Sequence, residues 1–191
     1  SNVAAGNNLN ASAGGQLSNV GGIWQAGQNA GIQAASVSNV GGTLLANGQL
    51  GVTTAGKLDN SGGKLMGSQA VTLNAQQLVN DANGLVASDL ATRITTTQGI
   101  SNQGGVLSGK TDLTVNANGA AINNTAGTLV SDASLNVSAG ALDNSRGQLT
   151  ARAQNGGAAT LNLASLSNRQ GVIDAAGNLA LSAAGAIDNT Q

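Results

Sequence analysis

The sequence predicts an all-β fold, a parallel β-helix (β-solenoid) of about nine coils of roughly 21 residues, with three short strands in each coil. Three observations support this prediction. An Asn residue recurs at a nearly constant interval along all 191 residues, and glycine and aliphatic residues recur at fixed distances from it. No stretch of about ten or more residues has helical periodicity. Each repeat is therefore expected to add one coil to a rod.

The repeat is clearest in LSNVGGIWQA, VSNVGGTLLA and LDNSGGKLMG, which begin at Leu17, Val37 and Leu58 and share the core aliphatic-x-Asn-x-x-Gly. Successive Asn residues of this motif lie 20 to 24 positions apart. The column consists of Asn19, Asn39, Asn60, Asn80, Asn102, Asn124, Asn144, Asn168 and Asn189. An aliphatic residue stands two positions before each of them.

Two further patterns predict the strands of each coil. The residues five positions after the first eight Asn residues are Trp24, Leu44, Leu65, Leu85, Leu107, Leu129, Leu149 and Ile173. Pairs of aliphatic residues with one residue between them follow at Leu50/Val52, Val71/Leu73, Leu113/Val115, Leu135/Val137, Leu161/Leu163 and Leu179/Leu181. Such alternation is typical of a strand with one face in the interior. We expect equivalent strands to pair about 4.8 Å apart in successive coils.

The Asn and Gly columns have a structural interpretation. Asn tolerates the left-handed turn conformation, and its amide both donates and accepts, so stacked Asn side chains can form a hydrogen-bonded ladder along the rod. Glycine stands three positions after each of the first eight Asn residues except at Asn83, which Gly84 follows directly. This column is expected to supply positive φ where a side chain would clash.

Composition excludes several classes of function. Charged residues make up 8% of the chain and the net charge is −1, so no basic surface for nucleic acid or an anionic membrane is expected. The chain has one aromatic residue and no Cys, His or Tyr, which argues against a conventional pocket, a thiol nucleophile and a haem site. We expect no cofactor and no metal site.

Three departures from the repeat are candidates for a partner contact. Eleven residues separate Leu149 from Leu161 where Leu44 and Leu50 are separated by five, which predicts a surface loop over residues 154–159 with Gln154 and Asn155 as contact candidates. Trp24 occupies a position of the inward column. It is expected either to fill the core or, as an exposed aromatic side chain, to contact a partner. The unit after Asn80 places Leu90 and Ile94 out of register, and a bulge or local bend is expected there.

Catalysis is the main alternative, because parallel β-helices also carry polysaccharide-active enzymes. Such chemistry requires two converging carboxylates. All eight acidic residues are Asp, and the pair placed near one turn on neighbouring coils is Asp59 with Asp81. The chain is therefore predicted to be non-catalytic, with a polysaccharide-active enzyme as the weakest alternative.

The repeat resembles the filamentous haemagglutinin-type repeats of very large secreted Gram-negative proteins. LDNSGGKLMGSQAVTLNAQQLVN and AINNTAGTLVSDASLNVSAGALDN carry the likeness most clearly, and it extends over essentially the whole chain. It implies a right-handed parallel β-helix, export through an outer-membrane two-partner transporter, and a rod at the cell surface. Relatives of this class include adhesins and contact-dependent growth-inhibition effectors.

These observations predict a single β-helical segment over residues 1–191, cut within a coil at both ends from a longer rod. Its expected role is a structural stalk of a secreted or cell-surface exoprotein of a Gram-negative bacterium, projecting a distal functional domain. The alternative is an adhesive module that binds a glycan or receptor on a host or bacterial surface. The segment itself is expected to be monomeric, with no nucleic-acid partner and no insertion into a membrane.

Overall fold

The structure, a computed structural model, describes residues 1–152 and 156–191, and every strand pairing in these residues is parallel. The strands in chain order are β1 (Asn2–Ala5), β2 (Leu9–Ser18), β3 (Ile23–Ala26), β4 (Ala30–Ser38), β5 (Thr43–Ala46), β6 (Leu50–Thr54), β7 (Lys57–Asp59), β8 (Lys64–Gly67), β9 (Ala70–Ala75), β10 (Gln77–Val79), β11 (Leu85–Ser88), β12 (Ala91–Thr96), β13 (Ile100–Ser101), β14 (Val106–Gly109), β15 (Asp112–Asn116), β16 (Ile122–Asn123), β17 (Thr128–Ser131), β18 (Ser134–Asp143), β19 (Gln148–Ala151), β20 (Ala158–Ser167), β21 (Val172–Ala175), β22 (Leu179–Ala183) and β23 (Ile187–Asp188).

These strands form the predicted β-solenoid. In the described residues, sheet A contains nine strands, one from each coil, in the order β1-β3-β5-β8-β11-β14-β17-β19-β21. Sheet B contains the other fourteen of the strands given above and covers two sides of the rod. In β2, β4, β18 and β20 one continuous strand spans both sides, whereas the remaining coils break it into two shorter strands. The prediction of about nine coils at a spacing of roughly 21 residues is confirmed.

The interior is filled by the predicted aliphatic columns. Leu44, Leu65, Leu107, Leu129 and Leu149 are in register on sheet A and are at most 1% exposed. The aliphatic pairs of sheet B stack in the same way. Because each side chain contacts its equivalents in the coils before and after, burial depends on stacking, as expected for a linear repeat.

The coil that follows Asn80 departs from the repeat differently from the prediction. Val86, not Leu85, is in register with Leu65 and Leu107. Strand β12 pairs with both neighbours without a register shift, so the expected bulge is absent from it. Thr92 takes the first inward position and is 1% exposed, while Leu90 is 50% exposed. Ile94, expected to be out of register, is in register with Leu73 and Val115. One extra residue in the preceding turn accounts for the shift, because Gly84 stands four residues after Asn80.

The register shift that the structure does contain lies in the first coils. The pairing of β2 with β4 skips between Ala13 and Gln16, where Gly14 and Gly15 intervene. Neither glycine would bring an added Cβ within 4 Å of another atom, so they lie on an open surface. The aliphatic alternation on both sides of this pair is unbroken, which is why the sequence pattern did not reveal the irregularity.

The predicted loop over residues 154–159 is shorter than expected. Strand β20 begins at Ala158, and Ala159 is in register with Leu135 and Leu179 while being 2% exposed. Leu161 therefore pairs with Val137, the second position of the inward pair. The sequence pattern placed the pair one step too late because alanine fills the first inward position. Gln154 and Asn155 lie outside the described residues.

Candidate functional site

The Asn column forms a continuous side-chain ladder along the rod. In each step the Nδ2 of one Asn donates to the Oδ1 of its equivalent in the next coil, at 2.7 to 2.8 Å over eight steps from Asn19 to Asn189. Asn39, Asn60, Asn80, Asn102, Asn124 and Asn144 are 0% exposed. The expected ladder is present, and the amides all point in one direction, an arrangement in which neighbouring hydrogen bonds polarise one another.

The ladder amides from Asn39 to Asn168 also fix their own turns. The Nδ2 of Asn102 donates to the carbonyl oxygen of Gly105 at 3.1 Å, and the amide of Gly105 donates back to the carbonyl of Asn102 at 3.3 Å. The same pair of contacts recurs at Asn39, Asn60, Asn124 and Asn144. The side chain and the backbone of one residue therefore close the turn while the same side chain joins two coils.

Where glycine stands three positions after a ladder Asn, it is required for a reason that differs from the prediction. The positive φ lies one residue earlier, as at Gly41, Gly62 and Gly104. At Gly105 an added Cβ would overlap the carbonyl oxygen of Asn80 and approach the Oδ1 of Asn102 to 2.6 Å. The column is glycine because the backbone of the neighbouring coil passes too close, and the ladder Asn residues themselves do not have positive φ.

Asp59 and Asp81, the candidate catalytic pair, bind different partners. The Asp59 carboxylate accepts from Lys57 at 2.9 Å and from the hydroxyl of Ser61 at 2.8 Å. The Asp81 carboxylate accepts from the Ser101 hydroxyl and the Gln103 amide of the next coil, both at 2.8 Å. Each carboxylate is thus engaged in holding a turn, and no shared hydrogen-bonding partner joins the two in the described residues.

The Asp residues just before a ladder Asn cap the turn that follows. Asp59, Asp143 and Asp188 each accept from the backbone amide two residues later. Burial by itself raises the pKa of the Asp59 carboxyl, but the hydrogen bonds from Lys57 and Ser61 outweigh it and lower the pKa below its ordinary value. The hydrogen bond from Arg169 lowers the pKa of Asp188 in the same direction. Both groups are ionised at neutral pH.

A groove runs along the corner that follows sheet A. We call it the corner groove; its cavity of about 370 Å³ is lined by the apolar residues Leu45, Met66 and Val130. It is also lined by Asp89, Lys110, Asp132 and Arg152, which follow sheet A in four successive coils. Arg152 and Asp132 form an ion pair at 3.5 Å. The sequence analysis missed this alternating row because it is visible only when the coils are aligned by strand register.

Residues 1–152 and 156–191 contain no group of three or more His, Cys, Asp or Glu side chains that could hold a metal ion. Over the same ranges there is no helix with the length and hydropathy needed to cross a bilayer.

Trp24 lies in the inward column of sheet A. It is in register with Val3 and Leu44, is partly buried, and packs against the hydrophobic core. This is the position expected of a core residue in a coil near the end of the described rod. A partner contact by Trp24 stays a prediction, as it does for Gln154 and Asn155.

One side of sheet B presents two ranks of outward side chains, which we call the polar face. The first rank consists of Asn10, Gly31, Gly51, Thr72, Arg93, Thr114, Asn136, Thr160 and Ala180. The second rank consists of Ser12, Gln33, Thr53, Asn74, Thr95, Asn116, Ser138, Asn162 and Ser182. Arg93 is its only charged residue. In the sequence, the first rank corresponds to the residue between the two members of each aliphatic pair, and the second rank to the residue directly after the pair. The sequence analysis considered only the inward members of these pairs.

Comparison with known proteins agrees with the repeat and the fold. The family model described as Haemagglutinin repeat matches residues 3–62, 61–122, 106–155 and 151–191. Searches of the curated proteins and of the solved structures gave no match. Haemagglutinin repeats are a structural, adhesin-type class of secreted or surface exoproteins and not an enzymatic one. With four matches that together cover nearly its whole length, this chain belongs to the haemagglutinin repeat family.

Proposed function

We propose that this chain is a stalk segment of a secreted, cell-surface adhesin of the filamentous haemagglutinin type or of a contact-dependent growth-inhibition effector. Its role is to hold a distal functional domain away from the cell that exports it, and its partner during export is an outer-membrane two-partner transporter. The observation that carries the proposal is the unbroken Asn ladder, which bonds every coil to the next over eight steps.

The ladder supports a stalk because it adds a buried, directional connection to the two sheets. The first seven steps join coils through charge-free hydrogen bonds in the interior, where water does not compete. The backbone pairings of sheets A and B and the continuous aliphatic core join the coils at the same interfaces. Bending the rod at any coil would break all three sets of contacts together.

Rod length tests the structural part of the proposal. Small-angle scattering should give a rod of about 40 Å for nine coils at the strand spacing. Deleting residues 64–105 removes two whole coils and joins Gly63 to Val106, a residue in register with Lys64 through Leu85. We expect a folded rod about 10 Å shorter. Loss of β-structure after this in-register deletion would contradict a modular stalk.

Cell binding separates the stalk from the adhesive alternative. The purified, fluorescently labelled chain is incubated with epithelial and bacterial cells, beside a variant that lacks residues 154–157. A passive stalk gives no saturable binding to any cell. Saturable binding that the deletion abolishes would instead assign an adhesive site to the inserted segment, the region that departs most from the repeat.

A further inference from the structure

The polar face contains a hollow in the first three coils. It has a volume of about 470 Å³ and is lined by Asn10, Ser12, Gln33 and Thr53 around Gly31 and Gly51. Gly31 and Gly51 are neighbours in the first rank, so two successive side chains are missing there. The hollow is therefore a gap in an otherwise complete rank, with amides and hydroxyls on its rim.

The fold does not require glycine at position 51. An added Cβ there would come no closer than 3.9 Å to another atom, the carbonyl oxygen of Ala30, and the φ of Gly51 is not positive. At Gly31 the only close atom is the Oδ1 of Asn10 at 2.9 Å, the end of a movable side chain. Glycine inside a strand weakens it and often marks a bulge, a tight bend, or a site that a ligand or another backbone approaches closely. Strands β4 and β6 pair without a register shift at Gly31 and Gly51, and no other backbone crowds Gly51, which leaves the approach of a ligand.

The side chains around the hollow are free to bind. Asn10, Ser12, Gln33 and Thr53 are exposed, and none makes a side-chain hydrogen bond within the described part of the chain. Amides and hydroxyls each both donate and accept. Four such groups at fixed backbone positions match a ligand that is itself rich in hydroxyl groups.

The chemistry of the polar face excludes other classes of partner. The hollow has no charged side chain, and Arg93 is the only charged residue in either rank, so neither an anion nor a cation finds an opposite charge there. Protein interfaces are enriched in aromatic residues, Met and Arg, and hot spots in Trp, Tyr and Arg. The hollow contains none of these, and the two apolar residues that line it, Ala11 and Ile32, pack in the hydrophobic core.

We propose that the hollow over Gly31 and Gly51 binds an uncharged oligosaccharide, through hydrogen bonds from Asn10, Ser12, Gln33 and Thr53. This goes beyond the stalk proposal, because a spacer needs no ligand. The site lacks an aromatic ring for stacking, so a single contact is weak, and strong attachment requires many copies of the rod or of the sugar.

The test measures binding of defined neutral sugars to the whole chain. The probes are maltohexaose, laminarihexaose, mannohexaose and chitohexaose, followed by saturation-transfer NMR and titration, with a heparin hexasaccharide as the anionic comparison. We expect saturation transfer to at least one neutral probe. Absence of transfer to all four, or tighter binding of heparin than of every neutral probe, would overturn the proposal.

Gly51→Val locates the site. Valine fills the hollow at an outward strand position with room for it, so we expect an unchanged circular dichroism spectrum and at least tenfold weaker sugar binding. The matched control is Thr128→Val, an outward position of sheet A, which should bind as the unmodified chain does. Equal binding by the Gly51→Val and Thr128→Val variants would place the sugar elsewhere and refute this site.

A second variant keeps the test decisive if Gly51→Val disturbs the fold. Gln33→Ala combined with Thr53→Ala removes two exposed side chains that make no side-chain hydrogen bond in the described residues. Loss of two hydrogen bonds to the ligand predicts about tenfold weaker binding. Unchanged affinity in this folded variant would also refute the site.

Discussion

The corner that begins with the ladder Asn and the corner that follows sheet A solve the same geometrical problem in different ways. The ladder corner has Asn in all nine coils, buried in the first eight of them. The sheet A corner has Ser68, Asp89, Lys110, Asp132 and Arg152 at one equivalent position in successive coils. One corner repeats a single chemistry, whereas the other varies at every step.

Burial explains the difference. A ladder amide has no water to bond with, so it needs an identical partner above and below it, and a change in one coil affects three. Side chains at the sheet A corner reach solvent, and the coils are joined there by backbone pairing and by the ion pair of Arg152 with Asp132. The same corner accommodates four more residues between Leu149 and Ala159 than between Leu129 and Leu135, while the sheets on both sides stay in register.

The largest test of this contrast compares two alanine substitutions in one coil. Asn102→Ala leaves the Oδ1 of Asn124 without its ladder donor and one N–H of the Asn80 Nδ2 without its ladder acceptor, while that Nδ2 keeps its backbone acceptors. We expect the free energy of unfolding to fall by roughly 2–6 kcal/mol, since each buried unsatisfied group costs about 1–3 kcal/mol. Lys110→Ala, at the exposed sheet A corner, should change it by less than about 0.5 kcal/mol. Urea denaturation measures the free energy of unfolding of both variants. Similar losses in the two would contradict the proposed difference between the ladder corner and the sheet A corner.

A smaller effect is expected from adjacent glycines of one ladder corner. Gly105→Ala forces a Cβ against the backbone of the neighbouring coil, and we expect a loss of roughly 3 kcal/mol. Gly104→Ala meets no atom within 4 Å but must keep φ at +64°, which costs about 1–2 kcal/mol. Thermal and urea unfolding of the two variants should rank Gly105→Ala as the more damaging. The reverse order would mean that positive φ, and not the close approach of the neighbouring coil, is the main reason for glycine at these corners.

The substitution Ala126→Gly, in one ladder corner, should increase the free energy of unfolding. Ala126 has a φ of +53° at the position where Gly62 and Gly104 stand in other coils. Ala126→Gly removes the left-handed strain of about 1–2 kcal/mol but adds roughly 0.4–1 kcal/mol of freedom to the unfolded chain. We expect a net stabilisation of roughly 0.5 kcal/mol in urea denaturation. A destabilised variant would show that the alanine side chain makes a contact worth more than the strain.

The smallest expected effect depends on pH. The folded-state pKa of Asp59 is lowered, so its contribution to stability is complete above the unfolded pKa and is lost as the pH falls through the folded value. The difference in unfolding free energy between the unmodified chain and Asp59→Asn should therefore shrink from pH 7 to pH 3. A difference that stays constant over this range would mean that Asp59 acts through packing alone. Asp81→Asn serves as the comparison, because it replaces the other member of the candidate pair.

The sequence revealed the repeat because its columns are one-dimensional. The spacing of Asn19 through Asn189 and the aliphatic alternation predicted the coils, the parallel strands and the ladder. The errors arose where a small or polar residue fills an inward position. Thr92 and Ala159 are buried in place of larger aliphatic residues, so a pattern based on Leu, Val and Ile shifted the register at Leu90 and Leu161.

Which residues are neighbours on the surface of the rod could be determined only from the tertiary structure. Residues that are neighbours on the rod, such as Gly31 and Gly51 or Asp132 and Arg152, stand 20 residues apart in the chain, and their pairing depends on the exact length of each turn. The turn after Asn80 shows why, because one extra residue moves Val86 to the inward position that Leu85 was expected to take.

The sequence by itself determined the family, the fold and the identity of the ladder, since a buried column must repeat its chemistry in every coil. Only the tertiary structure decided why the Gly column is glycine, where the charged row and the polar face lie, and which glycines leave a hollow. These properties depend on distances between coils. The repeat pattern does not give these distances, because they depend on the register in which each strand pairs with the next coil.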